Sequence, residues 1–545
     1  MSSVLEANLL ALHRTNPQLY SRFASHRHIG AGHYTFVESR SGEIVPSQSL
    51  SGNPQPLHSL IDPKREAERL VSTIPGGTGF VVFLGLGGGF APRAALANTA
   101  TQVTVIDFDL DGIAELFRSI DYTALIKNER FNILIDPACD EIKNFILEQY
   151  KPALHGGIKV IPLRTRTEQA LSVFDKAAAS IHQAIEESGA DYSVQAHFGQ
   201  RWFSNIIRNM KIAETANQTF TKAPIREAAI IAAGPSLDTQ IPVLAESKHR
   251  TFIICSDTAL PVLLHNHIKP DVVVSIDCQH ISHYHFFGCD LRNIPLVLDI
   301  TSPPLLASLA PSAVFFSGGH PLASYISRHW RSLPPLDTSG GNVTYACLSL
   351  AETLGARSVT LFGADFSYVG SRTYARGTYI YPFFEKNQTR LSPLEAMHSA
   401  FLFRSPFLPK EPRQNYLETA SLRFYRKKLE EKASAMNARI IVVKGDGAEI
   451  NIEKKRGMRI REQGMGESSL SCVEFLERYR ADIAGLPAAS GERSYLGELN
   501  GKEKQVFTTL LPSVAAFKYR NPLLKTKDLI EEVKLFCIRE IDKFL

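Results

Sequence analysis

Cysteine is scarce and unpatterned. The seven thiols (Cys139, Cys255, Cys278, Cys289, Cys347, Cys472 and Cys537) form no CxxC pair and are odd in number. That argues against a disulfide framework and points to a reducing compartment. No apolar run approaches the roughly 18 residues of a membrane span. The segment MSSVLEANLLALHRTNPQ lacks a basic start leading into an unbroken apolar core, so no signal peptide is expected. The expectation is a soluble, cytoplasmic protein with no membrane span. An excess of one charge is also missing: 60 basic residues against 55 acidic ones leave +5. Over so large a surface that does not imply a nucleic-acid partner. There is no GxxxxGK[ST] loop, low-complexity tract or internal repeat. What is present is a globular composition, 44% apolar and 21% charged, over 545 residues. At roughly 150 residues per domain this suggests three or four domains.

Residues 1–215 read as an N-terminal Rossmann-like α/β domain. Residues 61–72 (IDPKREAERLVS) have a helical pattern. An apolar strand, Gly79 to Leu84, breaks into LGLGGGFAPRAAL, and a second, Val103 to Ile106, ends in Asp107-Phe108-Asp109. This order of strand, glycine turn, helix, strand and acid suits a nucleotide. Glycines 85, 87, 88 and 89 allow close backbone approach, the helix start offers N–H groups to an anion, and the acid receives ribose hydroxyls. It suits an S-adenosylmethionine methyltransferase equally. It also occurs as a plain βα turn on folds that bind nothing there. Residues 165–215 read as helical, with Ile206, Ile207, Met210 and Ile212 on a buried face.

Residues 216–450 alternate strands and helices, the signature of a mostly parallel sheet. Strands are expected at Arg226–Ala233, Thr251–Cys255, Val272–Ile276, Leu296–Ile300, Ala313–Phe316 and Ser358–Phe362. Five of them run into glycine, serine or aspartate: Gly234-Pro235-Ser236, Ser256-Asp257, Asp277, Ser317-Gly318-Gly319-His320 and Gly363-Ala364-Asp365. Thr338-Ser339-Gly340-Gly341-Asn342 opens a helix to about Leu354. Polar residues and glycines thus gather where strands end, the edge at which open α/β sheets bind ligands. Residues 451–545 read as a charged linker (NIEKKRGMRIREQGMGESS) and a C-terminal helical region, with helices at about 469–485 and 502–545. The final 25 residues balance five basic groups against five acidic ones, which suits a solvated helix face.

The runs IIAAGPSLD, SDTA, SIDCQ and TSGGNVTYACLSLAETLGARSVTLFGADFSY resemble the motility-associated factor (Maf) glycosyltransferases, which share a 6-hydroxymethylpterin diphosphokinase MptE-like domain. LHSLIDPKREAERL, VVFLGLGGGF and VIDFD resemble that family's N-terminal domain. The resemblance implies a central domain similar to bacterial sialyltransferases. It further implies transfer of a nonulosonic acid of the pseudaminic or legionaminic type from a CMP-sugar to Ser or Thr of flagellin, supporting flagellar assembly and motility. The CMP-activated sugar is then the donor and flagellin the acceptor, with no cofactor and no metal required.

Such a reaction needs a grip on the nucleotide phosphate, stabilisation of that phosphate as it leaves, and a base for the acceptor hydroxyl. Gly234, Pro235 and Ser236 are expected to cradle the phosphate through backbone N–H groups, or else to be a tight turn with Ser236 as helix cap. Gly340, Gly341 and Asn342 offer a second helix start, again as ligand site or as cap. Asp257, Asp277 and the Gly318-Gly319-His320 strand end are candidates for holding sugar or ribose hydroxyls. Asp365 closes the strand after the Gly-Gly helix. By the resemblance, Tyr368 and Tyr374, six apart, assist the leaving phosphate, although a loop-packing role fits them as well. Arg372 and Arg376 flank Tyr374 and can meet a sugar carboxylate or remain solvated.

The base is the departure: Tyr374-Ala375 stands where Maf sequences tend to carry His-Ala. His398, Glu418 and His320 are the candidates, with His398 preferred. The pattern H-x-x-H-x-H (His280, His283, His285) reads as surface or packing, and the stripe Leu422, Tyr425, Leu429, Ala433, Met436 as core. The alternatives are a 6-hydroxymethylpterin diphosphokinase-like enzyme using ATP and magnesium, and a non-catalytic flagellin-binding assembly factor. A methyltransferase centred on Gly85–Gly89 ranks last.

Overall fold

The computed structural model describes residues 3–25, 32–50, 53–97, 101–216, 224–247, 249–410, 414–453, 470–490 and 495–545. They fall into two units. One is Met1–Gly199 with Gly485–Phe507 and Leu511–Phe536; the other is Gln200–Ala484 with Thr508–Leu510 and Cys537–Leu545. The boundary lies inside one continuous helix, Leu171–Thr215, and the C-terminal region contributes to both units. Most of the expected 451–469 linker lies outside the described residues. Among the described residues no helix is long and apolar enough to cross a membrane.

In the first unit, an antiparallel meander (β1 Tyr34–Glu38, β2 Ile44–Leu50, β3 Asn53–Pro56) precedes four parallel strands. These are β4 Thr78–Leu84, β5 Gln102–Asp107, β6 Phe131–Ile135 and β7 Gly157–Pro162, in the order β6-β5-β4-β7. Both faces of β4 are buried. Val81 and Phe83 pack with Leu116 and Phe117 on one side, and Phe80, Val82 and Leu84 pack with Ile142, Ile146 and Phe174 on the other. Such a strand reads as an unbroken apolar run because neither face meets water.

The second unit is built on seven parallel strands: β8 Glu227–Ile231, β9 Phe252–Ser256, β10 Val272–Ser275, β11 Leu296–Asp299, β12 Ala313–Phe316, β13 Ser358–Phe362 and, last in the chain, Arg439–Val442. Before that last strand a two-stranded ribbon intervenes, β14 Tyr368–Val369 against β15 Tyr416–Leu417, so the last strand is β16. The sheet order is β12-β11-β10-β9-β8-β13-β16. Strands β9 to β12 are buried along almost their whole length, as expected of a sheet with both faces covered. The Val343–Thr353 helix lies in the core of one face, with Ala346, Cys347 and Leu350 beside Ile230, Ile254 and Val274.

The parallel α/β architecture is the one expected. Two helical readings need correction. The helix expected at 502–545 breaks at Asn521-Pro522 into Gly501–Arg520 and Thr526–Asp542, where Asn521 leaves helical geometry ahead of the proline, whereas Pro512 is accommodated inside the first helix. The helix that carries the stripe Leu422 to Met436, read from the sequence as about 415–437, is shorter, Ala420–Ala435, and begins where the Thr419 hydroxyl accepts the Leu422 N–H.

Candidate functional site

The chain lays down β8 to β12 in one direction across the sheet, then returns to place β13 on the other side of β8. At such a reversal the loops on either side diverge and leave a crevice beyond the strand ends. Here the crevice has a volume of about 240 Å³. Its walls are Ala232–Gly234 after β8, Ser256 and Thr258 around the end of β9, Gly363–Tyr368 after β13, and Asn342–Thr344 at the start of the long buried helix. Thr373, Tyr374, Phe401, Arg404, Leu422 and Tyr425 complete it. Gly234 and Asn342, from the two loops singled out in the sequence, therefore border one cavity.

The mode expected for the first loop is corrected by the structure. The Gly234 N–H donates to Gly363 O at 2.9 Å, and the Ser236 N–H donates to Asp365 Oδ2 at 2.8 Å. Pro235 has no N–H. None of the three amides is left for a phosphate. The loop instead clasps the β13 end, and a side chain at Gly234 would collide with Asp365 Oδ2 and Gly363 O. Asp365 is correspondingly a positioning carboxylate. Burial raises its pKa, and the Ser236 hydrogen bonds only partly offset this.

The second loop is different. The Asn342 side chain accepts the Tyr345 N–H at 3.0 Å and so caps the helix. The N–H groups of Val343 and Thr344, the next inside, have no intrahelical partner by position, and no hydrogen bond to another described residue engages them. Both residues line the crevice. Gly341 turns back through its N–H to Thr338 O at 2.9 Å, and neither it nor Gly340 reaches the cavity wall.

Three tyrosines share the cavity wall with this helix start: Tyr368, Tyr374 and Tyr425. No hydrogen bond joins any of their hydroxyls to another described residue. Burial drives the Tyr374 and Tyr425 hydroxyls above their ordinary pKa, so both stay protonated donors. Arg404 supplies the cation. Its guanidinium lies 4.4 Å over the Phe401 ring and makes no ion pair with a described residue. Ser256, 1% exposed, has a buried hydroxyl with no partner among the described residues. Arg404, Phe401 and Tyr425 were not singled out from the sequence as ligand contacts.

Other expected residues lie elsewhere. Arg372 pairs with Asp238, and the Arg376 N–H donates to the same carboxylate at 2.9 Å, so neither guanidinium lines the cavity. His398 packs against Tyr381 and Phe384 at 5.4 and 4.8 Å, away from the lining. Glu418 is 3% exposed and accepts from Arg423 and Arg426. Gly318, Gly319 and His320 follow β12, four strands from β8, roughly 19 Å away at the usual strand spacing. His320 there caps a helix, accepting the Leu322 N–H at 3.1 Å. Asp277, two strands from β8, accepts the Gln279 N–H at 2.9 Å and does not line the crevice; burial raises its pKa. From the helical stripe, Leu429, Ala433 and Met436 are core, whereas Leu422 and Tyr425 are cavity wall.

Asp257 is buried at the end of β9 behind Ser256 and Thr258. It accepts the Thr258 N–H and the Ser275 hydroxyl, each at 2.7 Å, and its Oδ1 lies 3.3 Å from His285 Nδ1. Burial alone would raise its pKa. His285, Ser275 and the Thr258 N–H outweigh that and hold the carboxyl below its ordinary value.

The glycine loop of the first unit turns most of its amides to its own chain, and a cavity of about 830 Å³ borders it at Gly88 and Phe90. Arg166 pairs with Asp107 at 3.0 Å, and the Leu86 N–H donates to the other carboxylate oxygen at 2.7 Å. The Gly88 N–H donates to His58 Nε2 at 2.8 Å, and Gly85 and Gly89 donate within the loop and to Ile106. The acid expected to receive ribose is 0% exposed.

A sequence profile described as 6-hydroxymethylpterin diphosphokinase MptE-like matches residues 200–371. Three proteins of Treponema pallidum (strain Nichols), each described as uncharacterized, are similar to the chain. One is 31% identical over 183 residues, covering 32% of this chain and 87% of that protein. The chain belongs to the MptE-like family. A second Treponema protein is 46% identical over 95 residues, 17% of this chain and 34% of that protein. A third is 22% identical over 234 residues, 42% of this chain and 51% of that protein. The chain thus spans only a third and a half of these two relatives. In three dimensions the MptE-like chain is similar to the Maf glycosyltransferase from Magnetospirillum magneticum AMB-1. The TM-score is 0.58 at 15% identity, over 99% of this chain and 94% of that one. The shared fold thus extends well beyond the MptE-like segment.

Proposed function

We propose that the chain is a glycosyltransferase that moves a nonulosonic acid from a CMP-sugar to Ser or Thr of flagellin, in support of flagellar assembly. The observation that carries the reading is the set of donors in the crevice. Two helix-start N–H groups, the Arg404 guanidinium and three phenol hydroxyls converge without protein acceptors among the described residues. Such a set suits a phosphate whose charge grows as it leaves. The acceptor oxygen attacks the anomeric carbon, the bond from that carbon to the phosphate oxygen breaks, and its electron pair stays on CMP. Val343 and Thr344 N–H and the Tyr374 hydroxyl stabilise the departing phosphate, and Arg404 offsets its charge or that of the sugar carboxylate. Similarity of fold to a Maf glycosyltransferase supports the transferase class.

The test is a thermal shift with CMP against ATP–magnesium plus 6-hydroxymethylpterin, since a ligand that binds only the folded state raises Tm. CMP is expected to stabilise the protein. Stabilisation by ATP–magnesium and pterin alone would overturn the reading and favour the diphosphokinase alternative that the family's description suggests. Intact-mass measurement of flagellin from a deletion strain addresses the acceptor: loss of the sugar mass is expected, and unchanged mass with lost filaments would favour an assembly factor.

A further inference from the structure

The donors of the crevice stabilise a leaving group, but none of them removes the acceptor's proton. A base must carry a lone pair near neutral pH and be held in a fixed orientation. His285 is held in a fixed orientation. It lies in the turn His280–Phe286, 9% exposed, with its ring 4.5 Å from that of Tyr379. Its Nδ1 faces Asp257 Oδ1 at 3.3 Å and the Thr258 hydroxyl at 3.4 Å. Asp257 is itself fixed by Ser275 and the Thr258 N–H, so the carboxylate cannot swing away. Thr258 is a wall of the crevice, which puts the imidazole one residue behind the cavity lining. Nε2, across the ring from Nδ1, makes no hydrogen bond to a described residue.

We propose that His285, oriented by Asp257, is the base that takes the proton of the acceptor hydroxyl. This rests on the transferase reading of the same site. With Nδ1–H donated to Asp257, Nε2 holds the lone pair. As the acceptor oxygen bonds to the anomeric carbon, its proton passes to Nε2, and the electron pair of the breaking bond leaves with CMP. The imidazolium formed is stabilised by the Asp257 carboxylate and returns its proton to solvent after product release. The titratable groups that face the imidazole are Asp257, Asp277 and Tyr379, and the Cys289 thiol donates to the His285 carbonyl at 3.9 Å.

The experiment uses the full-length protein with CMP-pseudaminic acid and flagellin, following CMP release and flagellin mass. His285→Gln is expected to keep the CMP-induced rise in Tm while transfer falls at least about 100-fold, the usual scale of general-base catalysis. The acidic limb of the kcat/KM–pH profile should vanish with it. Asp257→Asn should retain partial activity with that limb displaced to lower pH, because the imidazolium loses its counter-charge. His285→Ala with added imidazole guards against misfolding: recovery of rate supports the base role. Transfer by His285→Gln within about twofold of wild type, or an unchanged limb, overturns the assignment. Failure of the wild-type protein to bind CMP overturns the transferase reading and this proposal together, a result distinct from either.

Discussion

The two units of this protein each place a glycine-rich turn at the end of a buried parallel strand, yet they use the space above it in opposite ways. In the first unit Arg166 and His58 enter from distant parts of the chain, meet Asp107 and the Gly88 N–H, and close the turn. In the second, Gly234 and Ser236 are tied to β13 and its loop, and the cavity stays open because its walls come from the helix start at Val343 and from Arg404. A glycine motif therefore fixes only that a backbone passes closely. What fills the room beyond it is decided by residues that the motif does not contain.

The comparison can be broken most forcefully at Arg166. Arg166→Leu leaves the Asp107 carboxylate unpaired in the interior, and should cost about 3–5 kcal/mol of stability. Urea unfolding measures it, and an unchanged midpoint would mean the pair does not close the turn. The matching change in the open site behaves differently. Arg404→Ala removes an exposed cation, so stability should move by less than about 0.5 kcal/mol. Loss of one charged contact to the donor, about 1.5–3 kcal/mol, should instead lower kcat/KM roughly 10- to 150-fold.

The two glycines separate the sites further. Gly87→Ala would press on His58 at a positive φ of 51°, and Gly234→Ala would press on Asp365. Each should cost about 1–3 kcal/mol, but only Gly234→Ala should also abolish the thermal response to CMP. An equal loss of response in both variants would erase the distinction.

The smallest net effect concerns pH. Burial pushes Asp299 up to about 6 from an ordinary 3.8, and pushes His320 down to about 3 from 6.5. Native Asp299 keeps a proton that the unfolded chain releases, so its contribution falls as pH rises from about 4 to about 6. Native His320 refuses a proton that the unfolded chain takes, so its contribution falls as pH drops below about 6.5. The slopes oppose each other and largely cancel in the wild type. Urea midpoints between pH 4 and 7 should fall with rising pH in His320→Asn and with falling pH in Asp299→Asn. Parallel curves for the two variants would refute the assignment.

The central strands were legible because they are buried on both faces. Expected and observed bounds agree within two residues from β8 through β13. Strand β16 escaped, although RIIV after a helix and the Gly445-Asp446-Gly447 turn beyond it are usable signals, because it is a short, mostly exposed edge strand. Which strand ends meet was not legible, since strand order is a long-range property: it sets Gly318–His320 far from β8 and brings Gly363–Asp365 against it. Arg404 and Tyr425 carry no local pattern. H-x-x-H-x-H was visible, but its spacing says nothing of Asp257, which reaches His285 only through the neighbouring strand.

The sheet order also has a temporal side. β8 is the first of its sheet to leave the ribosome, but its second neighbour, β13, follows about 130 residues later. At roughly 5–20 residues per second, one flank of β8 stays bare for about 6–25 seconds. A nascent chain in that interval exposes a hydrophobic strand with unpaired backbone groups, an invitation to stray pairing. The crevice is consequently among the last features to mature, and chaperone demand should peak before Ser358 emerges.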